Sequence, residues 1–195
     1  MQIFDKMTKN RCDWCGNDPL YVTYHDTEWG VPVYDDDKLF EFLILETFQA
    51  GLSWITVLRK RENFRKSFDN FDYKKIANYS EKKYESLLQD AGIIRNKLKI
   101  KATISNATAF MEVQKEFGSF SKYIWTFTNG TPIKNSYLSL AEVPATTALS
   151  DKVSKDLKKR GFKFVGSTVI YAHMQATGMV NDHVTSCFRY KEVNQ

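Results

Sequence analysis

Cys12 and His25 lie near the start of this chain, and His183 and Cys187 lie near its end. With only three cysteines and three histidines in the whole sequence, these four account for most of both. The second pair is four residues apart, a spacing that on a helix turns both side chains to one face. Two thiolates and two imidazoles make a closed tetrahedral zinc set. If the four meet on one ion, the two ends of the chain are clasped and everything between them is one unit. The metal then holds a scaffold rather than doing chemistry. Spacing leaves two alternatives open. Cys12 and Cys15 also have metal-ligand spacing. The same residues would also serve as small buried thiols and hydrogen-bonded core histidines. His173, on an apolar stretch, reads as a core or interface histidine.

A chain of 195 residues, 43% hydrophobic and 14% aromatic, has the apolar material for one packed core and is not disordered. Its formal charge of +5 is compatible with a polyanionic partner without establishing one. Three cysteines do not make a disulfide framework, and reduced thiols suit a cytoplasmic protein. Met1 to Arg11 holds no apolar stretch, so no signal peptide is expected. Residues 1–10, with a second methionine at Met7, read as a tail or leader, and 191–195 as a C-terminal tail. The apolar run Phe42 to Leu45 is far too short to span a bilayer, so no membrane partner is expected.

The remaining pattern is helical. Asp18-Pro19 opens a helix carrying Tyr21, Tyr24 and His25. One of Asp35, Asp36 and Asp37 caps a strongly apolar helix from Leu39 to about Gln49, which stops near Gly51. Ser53 caps a helix from Trp54 to Phe68. Asp72 and Ser80 start two short ones, the second running to Gly92. A longer helix spans Lys97 to Phe117. Ser119 to Phe127 is ambiguous, and Asn129-Gly130 is a turn. Thr131 to Thr147 reads as an irregular connection. Ser150 caps a basic helix ended by Gly161, and Ser167 caps another ended by Gly178. A last helical turn carries His183 and Cys187. The fold class is all-α.

Three further groups could carry chemistry. Glu46 sits in a helix that is apolar all round, where a carboxylate is costly unless paired or functional. Burial would raise its pKa, and a cationic ligand would lower it again. Gln49-Ala50-Gly51-Leu52-Ser53-Trp54 follows directly, with a glycine that permits close approach and a tryptophan face for stacking. Trp14, Tyr21, Tyr24 and Trp29 are other candidate walls, although aromatic side chains more often simply fill a core. Lys158 to Ser167 places a basic helix, a short hairpin between Gly161 and Gly166, and a new helix start in sequence. Free N–H groups at Gly166 and Ser167, with Lys163 beside them, suit a phosphate. An ordinary hairpin with a solvated basic face competes with that reading.

Taken together these stretches resemble the 3-methyladenine DNA glycosylase I branch of the helix-hairpin-helix DNA glycosylases. The resemblance runs from about Arg11 to Tyr190. It is carried by Asp18-Pro19-Leu20-Tyr21, Tyr24-His25-Asp26 and Glu28-Trp29-Gly30-Val31-Pro32. It continues through Gln49 to Leu58, Asp90-Ala91-Gly92-Ile93-Ile94-Arg95, Lys158 to Gly166, and Val180-Asn181-Asp182-His183.

The resemblance implies an all-helical fold with one structural zinc on Cys12, His25, His183 and Cys187, leaving Cys15 spare. It implies a damaged-base pocket of Glu46, Tyr24 and Trp54, with Tyr21 and Trp14 nearby and Glu46 as the catalytic group. The implied partners are alkylated double-stranded DNA and free 3-methyladenine as product; a monomer is expected, though the sequence itself does not give the oligomeric state. The family lacks the usual catalytic aspartate of its superfamily; Asp182 is the nearest candidate by chain order, but it abuts a zinc ligand. Gly51 and Leu52 are expected to contact DNA, with Leu52 as a wedge filling the gap left by a flipped base. Lys163, Gly166 and Ser167 would grip the backbone. Strand-cutting members of the superfamily place a lysine just after the hairpin's last glycine. Here Ser167-Thr168-Val169-Ile170 has none, so a monofunctional glycosylase is expected. The alternatives are a non-catalytic zinc-containing DNA-binding module and a catalytic zinc hydrolase.

Overall fold

The structure, a computed structural model, describes residues 9–193. Most of the expected N-terminal tail, including Met7, lies outside the described residues, as do 194 and 195. The expected C-terminal tail begins inside a short helix, α10 (Arg189–Glu192).

Local capping explains where most helices begin. Asp18 accepts from the amides of Leu20 and Tyr21 to open α1 (Pro19–Thr27). Asp35 accepts from Lys38 N to open α2 (Asp36–Gln49). Asp36 then serves a different helix. Its carboxylate accepts from the amides of Phe120 and Ser121 at 2.9 and 2.7 Å. Those amides start α7 (Phe120–Trp125), which resolves the ambiguous stretch as helix. Between these lie α3 (Trp54–Ser67), α4 (Tyr73–Ile76), α5 (Glu81–Gln89) and α6 (Lys97–Phe117). The chain ends with α8 (Ala148–Lys159), α9 (Ser167–Ala176) and α10.

The centre of the molecule is α2. Every residue from Leu39 to Phe48 is buried, Glu41 and Glu46 included, and α3, α6, α7 and α9 pack around it. A helix hydrophobic on all sides has to be enclosed in this way. Aromatic pairs fill the space beside it, such as Phe110 on Phe120 with ring centres 4.2 Å apart. Glu41 is tolerated because Arg61 and Arg65 of α3 bond to it, and Arg61 also reaches Glu28.

Four expectations are corrected. The cap of α8 is Thr147, and Ser150 is the reciprocal partner in a capping box rather than the cap. The cap of α9 is Gly166, and Ser167 is its first residue. Its hydroxyl is drawn to Ser150 instead, 2.7 Å away. Thr131 to Thr147 is not wholly irregular, because β1 (Ile133–Lys134) pairs in parallel with β2 (Val180–Asn181). His183 and Cys187 do not share a helical turn. They flank a non-helical turn closed by Cys187 N donating to Val184 O, and α10 starts after it. A side-chain spacing of four is satisfied by a tight turn as well as by a helix, which is why the sequence misled.

Behind this turn, Gly178 ends α9 at φ +68°, and a Cβ there would lie 2.4 Å from the backbone of Val31 and Pro32. Only glycine fits such an approach. It lets Gly30 N bond to Gln175 O and Val33 N to Thr177 O, joining the loop after α1 to the end of α9.

Candidate active site

One cavity of about 260 Å³ gathers most of the residues singled out in the sequence. Tyr24 comes from α1, Glu46 and Gln49 from α2, and Trp54 from the first turn of α3; Trp14 and Tyr21 complete the aromatic side. The rings of Tyr24 and Trp54 are 5.5 Å apart, and Trp14 stands 5.0 Å from Tyr21 and 4.9 Å from Trp29.

The polar atoms of this cavity are unusual. Glu46 Oε2, Tyr24 OH, Trp14 Nε1 and Trp54 Nε1 are all buried without a hydrogen-bond partner among the described residues. A ligand entering the cavity would meet these donors and acceptors. Glu46 is 3% exposed, and burial pushes its carboxyl up to about 8. Burial and the nearby Glu46 charge also hold the Tyr24 phenol well above its ordinary value. An empty pocket therefore keeps Glu46 mostly protonated near neutrality, ready to ionise opposite a cation.

Beyond α2 the chain turns at Gly51, φ +82°, and Leu52 stands 42% exposed. The turn is held from beneath. Lys99 Nζ donates to Phe48 O and Ala50 O, both at 3.0 Å, so a buried cation faces the carbonyl end of α2.

The hairpin between α8 and α9 exposes Lys163 and Phe164. Phe164 has φ +57°, a conformation that costs a bulky residue of order 1–3 kcal/mol. Asn106, fully buried on α6, pins the backbone of the residue before Phe164. Its amide accepts from Lys163 N at 2.7 Å and donates to Lys163 O at 3.0 Å. Gly166 and Ser167 lie just beyond, at the start of α9.

Cys12, His25, His183 and Cys187 converge. Their ligand atoms lie within 4.8 Å of one another and all four residues are buried, so together they could hold a metal ion. Cys15 stays outside, its thiol turned to Gly16 O. His25 presents Nε2 to Cys187 while Nδ1 faces Asp26, itself held by Arg11. His183 presents Nδ1 while Nε2 faces Trp29 O. Each imidazole thus has its outer nitrogen tied and its inner one turned toward the cysteines, the arrangement metal-binding histidines show, although His25 Nε2 also accepts from Cys12 N at 3.3 Å.

Asp182 also lines the cavity but is fully engaged. Asn135, Tyr171 and Gln175 all donate to it. Sequence reasoning missed the rest of the lining, which includes Leu140, Val143 and Pro144 with Ala172 and Gln175 of α9. The first three sit in the aperiodic Thr131 to Thr147 stretch, where no repeat betrays which side chain turns inward.

A family model for methyladenine glycosylases matches residues 14–190. The chain belongs to the methyladenine glycosylase family. DNA-3-methyladenine glycosylase 1 of Escherichia coli strain K12 is 53% identical over 180 residues, covering 92% of this chain and 96% of that one. A crystal structure of a 3-methyladenine DNA glycosylase I superposes with a TM-score of 0.90 at 54% identity, covering 92% of this chain and 98% of the other. A single-substitution variant of such an enzyme, solved in complex with 3-methyladenine, superposes with a TM-score of 0.90 at 32% identity, covering 95% and 98%. The family's mostly helical fold is the one described above.

Proposed function

We infer that this protein is a DNA glycosylase of base-excision repair that removes 3-methyladenine from alkylated DNA. The observation that carries the reading is the cavity itself: an ionisable, unpartnered Glu46 beside Tyr24 and Trp54, in a chain of this family.

The target base is stacked in duplex DNA and must be flipped out before a pocket can hold it, at a cost of a few kcal/mol. Leu52, exposed on its supported turn, fills the gap left in the stack, and the Lys163 to Ser167 hairpin holds the backbone. While attached to the sugar the methylated base carries positive charge. Stacking that cation on Trp54 is worth about 2 kcal/mol once water is excluded, and charge-assisted hydrogen bonds contribute about 1.5–3 kcal/mol each. Together these offset flipping for the charged lesion and not for neutral adenine, so selection is by charge and shape. The glycosidic bond to a cationic base is already weak, so departure needs little acid catalysis, and water completes hydrolysis at the sugar carbon. Glu46 is the catalytic group, while Tyr24 shares the reading of the base edge.

We further propose zinc for the Cys12, His25, His183 and Cys187 set. Zinc with ordinary bond lengths and tetrahedral angles places a thiolate sulfur about 3.5 Å from an imidazole nitrogen. The separations here are 3.5 Å for Cys12 with His183, 3.5 Å for Cys187 with His25 and 3.6 Å for Cys187 with His183. When bound, the ion would hold these segments together. A four-ligand set leaves no open position for a metal-bound water, which separates this reading from a zinc hydrolase.

The position after the hairpin's last glycine is Ser167, with no lysine through Ile170, which supports a monofunctional glycosylase. The test is incubation with methylated duplex DNA followed by chromatography and borohydride treatment. Free 3-methyladenine should appear with no covalent DNA adduct. Tight duplex binding without base release would instead make the protein a binding module, and a trapped adduct would overturn monofunctionality.

A further inference from the structure

We propose that Gln175 reads the exocyclic amine of the flipped base, and so discriminates a 6-amino purine from a 6-oxo one. The proposal rests on the pocket reading above and adds to it a specificity residue on α9, a helix that packs against the Glu46 helix.

The argument begins at Asp182. A carboxylate only accepts hydrogen bonds. Its Oδ1 receives Asn135 Nδ2 at 2.7 Å, and its Oδ2 receives Tyr171 OH at 2.6 Å and Gln175 Nε2 at 2.8 Å. The amide of Gln175 therefore cannot be turned round, because the reverse orientation would set a carbonyl oxygen against a carboxylate. With one Nε2 hydrogen committed to Asp182 and the amide held in that orientation, Oε1 is the acceptor that Gln175 can offer a ligand's N–H. The backbone is fixed as firmly, since Gln175 O accepts from Gly30 N at 3.1 Å. Gln175 is half-buried and lines the same cavity as Glu46, Tyr24 and Trp54.

The amine of 3-methyladenine has two N–H bonds, more than one oxygen of Glu46 can satisfy. A neutral acceptor held in one orientation takes the second. A purine with a carbonyl at that position would place oxygen against Oε1. Asp182 thus acts as a positioning residue for Gln175 rather than as a base.

The test is equilibrium binding of free 3-methyladenine and of its 6-oxo counterpart, 3-methylhypoxanthine, to the full chain, followed by tryptophan fluorescence. Gln175→Met keeps length and bulk without the acceptor, and Gln175→Leu is the second variant; unchanged thermal melting and metal content confirm folding. The expected result is a loss of about tenfold in 3-methyladenine affinity, the worth of one hydrogen bond, with the 6-oxo base unaffected or improved. Unchanged 3-methyladenine affinity would overturn the proposal; if base release from DNA nevertheless slowed, Gln175 would be holding the attacking water instead. Glu46→Gln and Trp54→Ala run in parallel. If those two also bind both bases as wild type does, the pocket reading itself fails, which is a different result from failure at Gln175 alone.

Discussion

Glu46 shows what a single buried group can decide. Its carboxyl is raised to about 8 by burial alone, and its proposed role requires ionisation to attract a cationic base. The free enzyme holds the ionised form in increasing proportion as pH rises toward 8. Accordingly, kcat/KM on methylated DNA should climb with pH and level off above about 8, and Glu46→Gln should flatten that limb. Stability follows the opposite sign. A carboxyl whose folded value lies above its ordinary 4.5 binds its proton more tightly in the folded state. Folding therefore loses free energy as pH rises from about 4.5 to about 8, by an amount of order a few kcal/mol. Melting temperatures of wild type and Glu46→Gln should converge near pH 4 and separate above it in favour of the variant. Glu46 was legible in the sequence because a carboxylate in an all-apolar helix is costly unless paired or functional; Glu41 in the same helix is the paired case. Gln175 was not, since a glutamine beside alternating apolar and polar residues is ordinary, and its meaning comes only from Asp182 seven positions on.

Among the elements, the hairpin and the turn after α2 were both visible as glycine-punctuated segments, but what supports them was not. Asn106 and Lys99 lie on α6, more than fifty and nearly fifty residues from the segments they hold. No local pattern reports such a partnership. The hairpin's anchor makes a clean prediction. Asn106→Ala removes both bonds to the Lys163 backbone and lets Phe164 relax from its left-handed conformation. Affinity for duplex DNA should fall several-fold while free 3-methyladenine still binds as before, because the pocket is built from other elements. Equal losses in both assays would mean that the hairpin and pocket are not separate devices. The same scale explains the mistaken helical turn at His183 and Cys187: ligand spacing reports which side chains share a direction, not which backbone puts them there.

For the whole molecule, helices and their order were readable from caps and apolar periods, because α2 and its neighbours obey local rules. The parallel pairing of β1 with β2 was not, since two-residue strands carry no alternation. A metal clasp on these four residues would join the segment before α1 to the segment after β2, and Trp14 and Asp182 sit beside both the cluster and the pocket. Zinc binding should therefore be worth several kcal/mol of folding free energy. Metal analysis should find one zinc per chain. Cys187→Ala should lose it, melt at a markedly lower temperature and bind 3-methyladenine more weakly. A metal-free protein with an unchanged melting temperature would refute the clasp.

The central claim is that the cavity of Glu46, Tyr24 and Trp54 recognises and releases the methylated base. It is tested most directly by single-turnover release of 3-methyladenine from methylated duplex DNA, comparing wild type with Glu46→Gln and Trp54→Ala at matched, saturating enzyme. The account predicts rapid release by wild type and a loss of about tenfold or more in each variant, the worth of one charge-assisted contact or one stacking face. Release at the wild-type rate by both variants would contradict it.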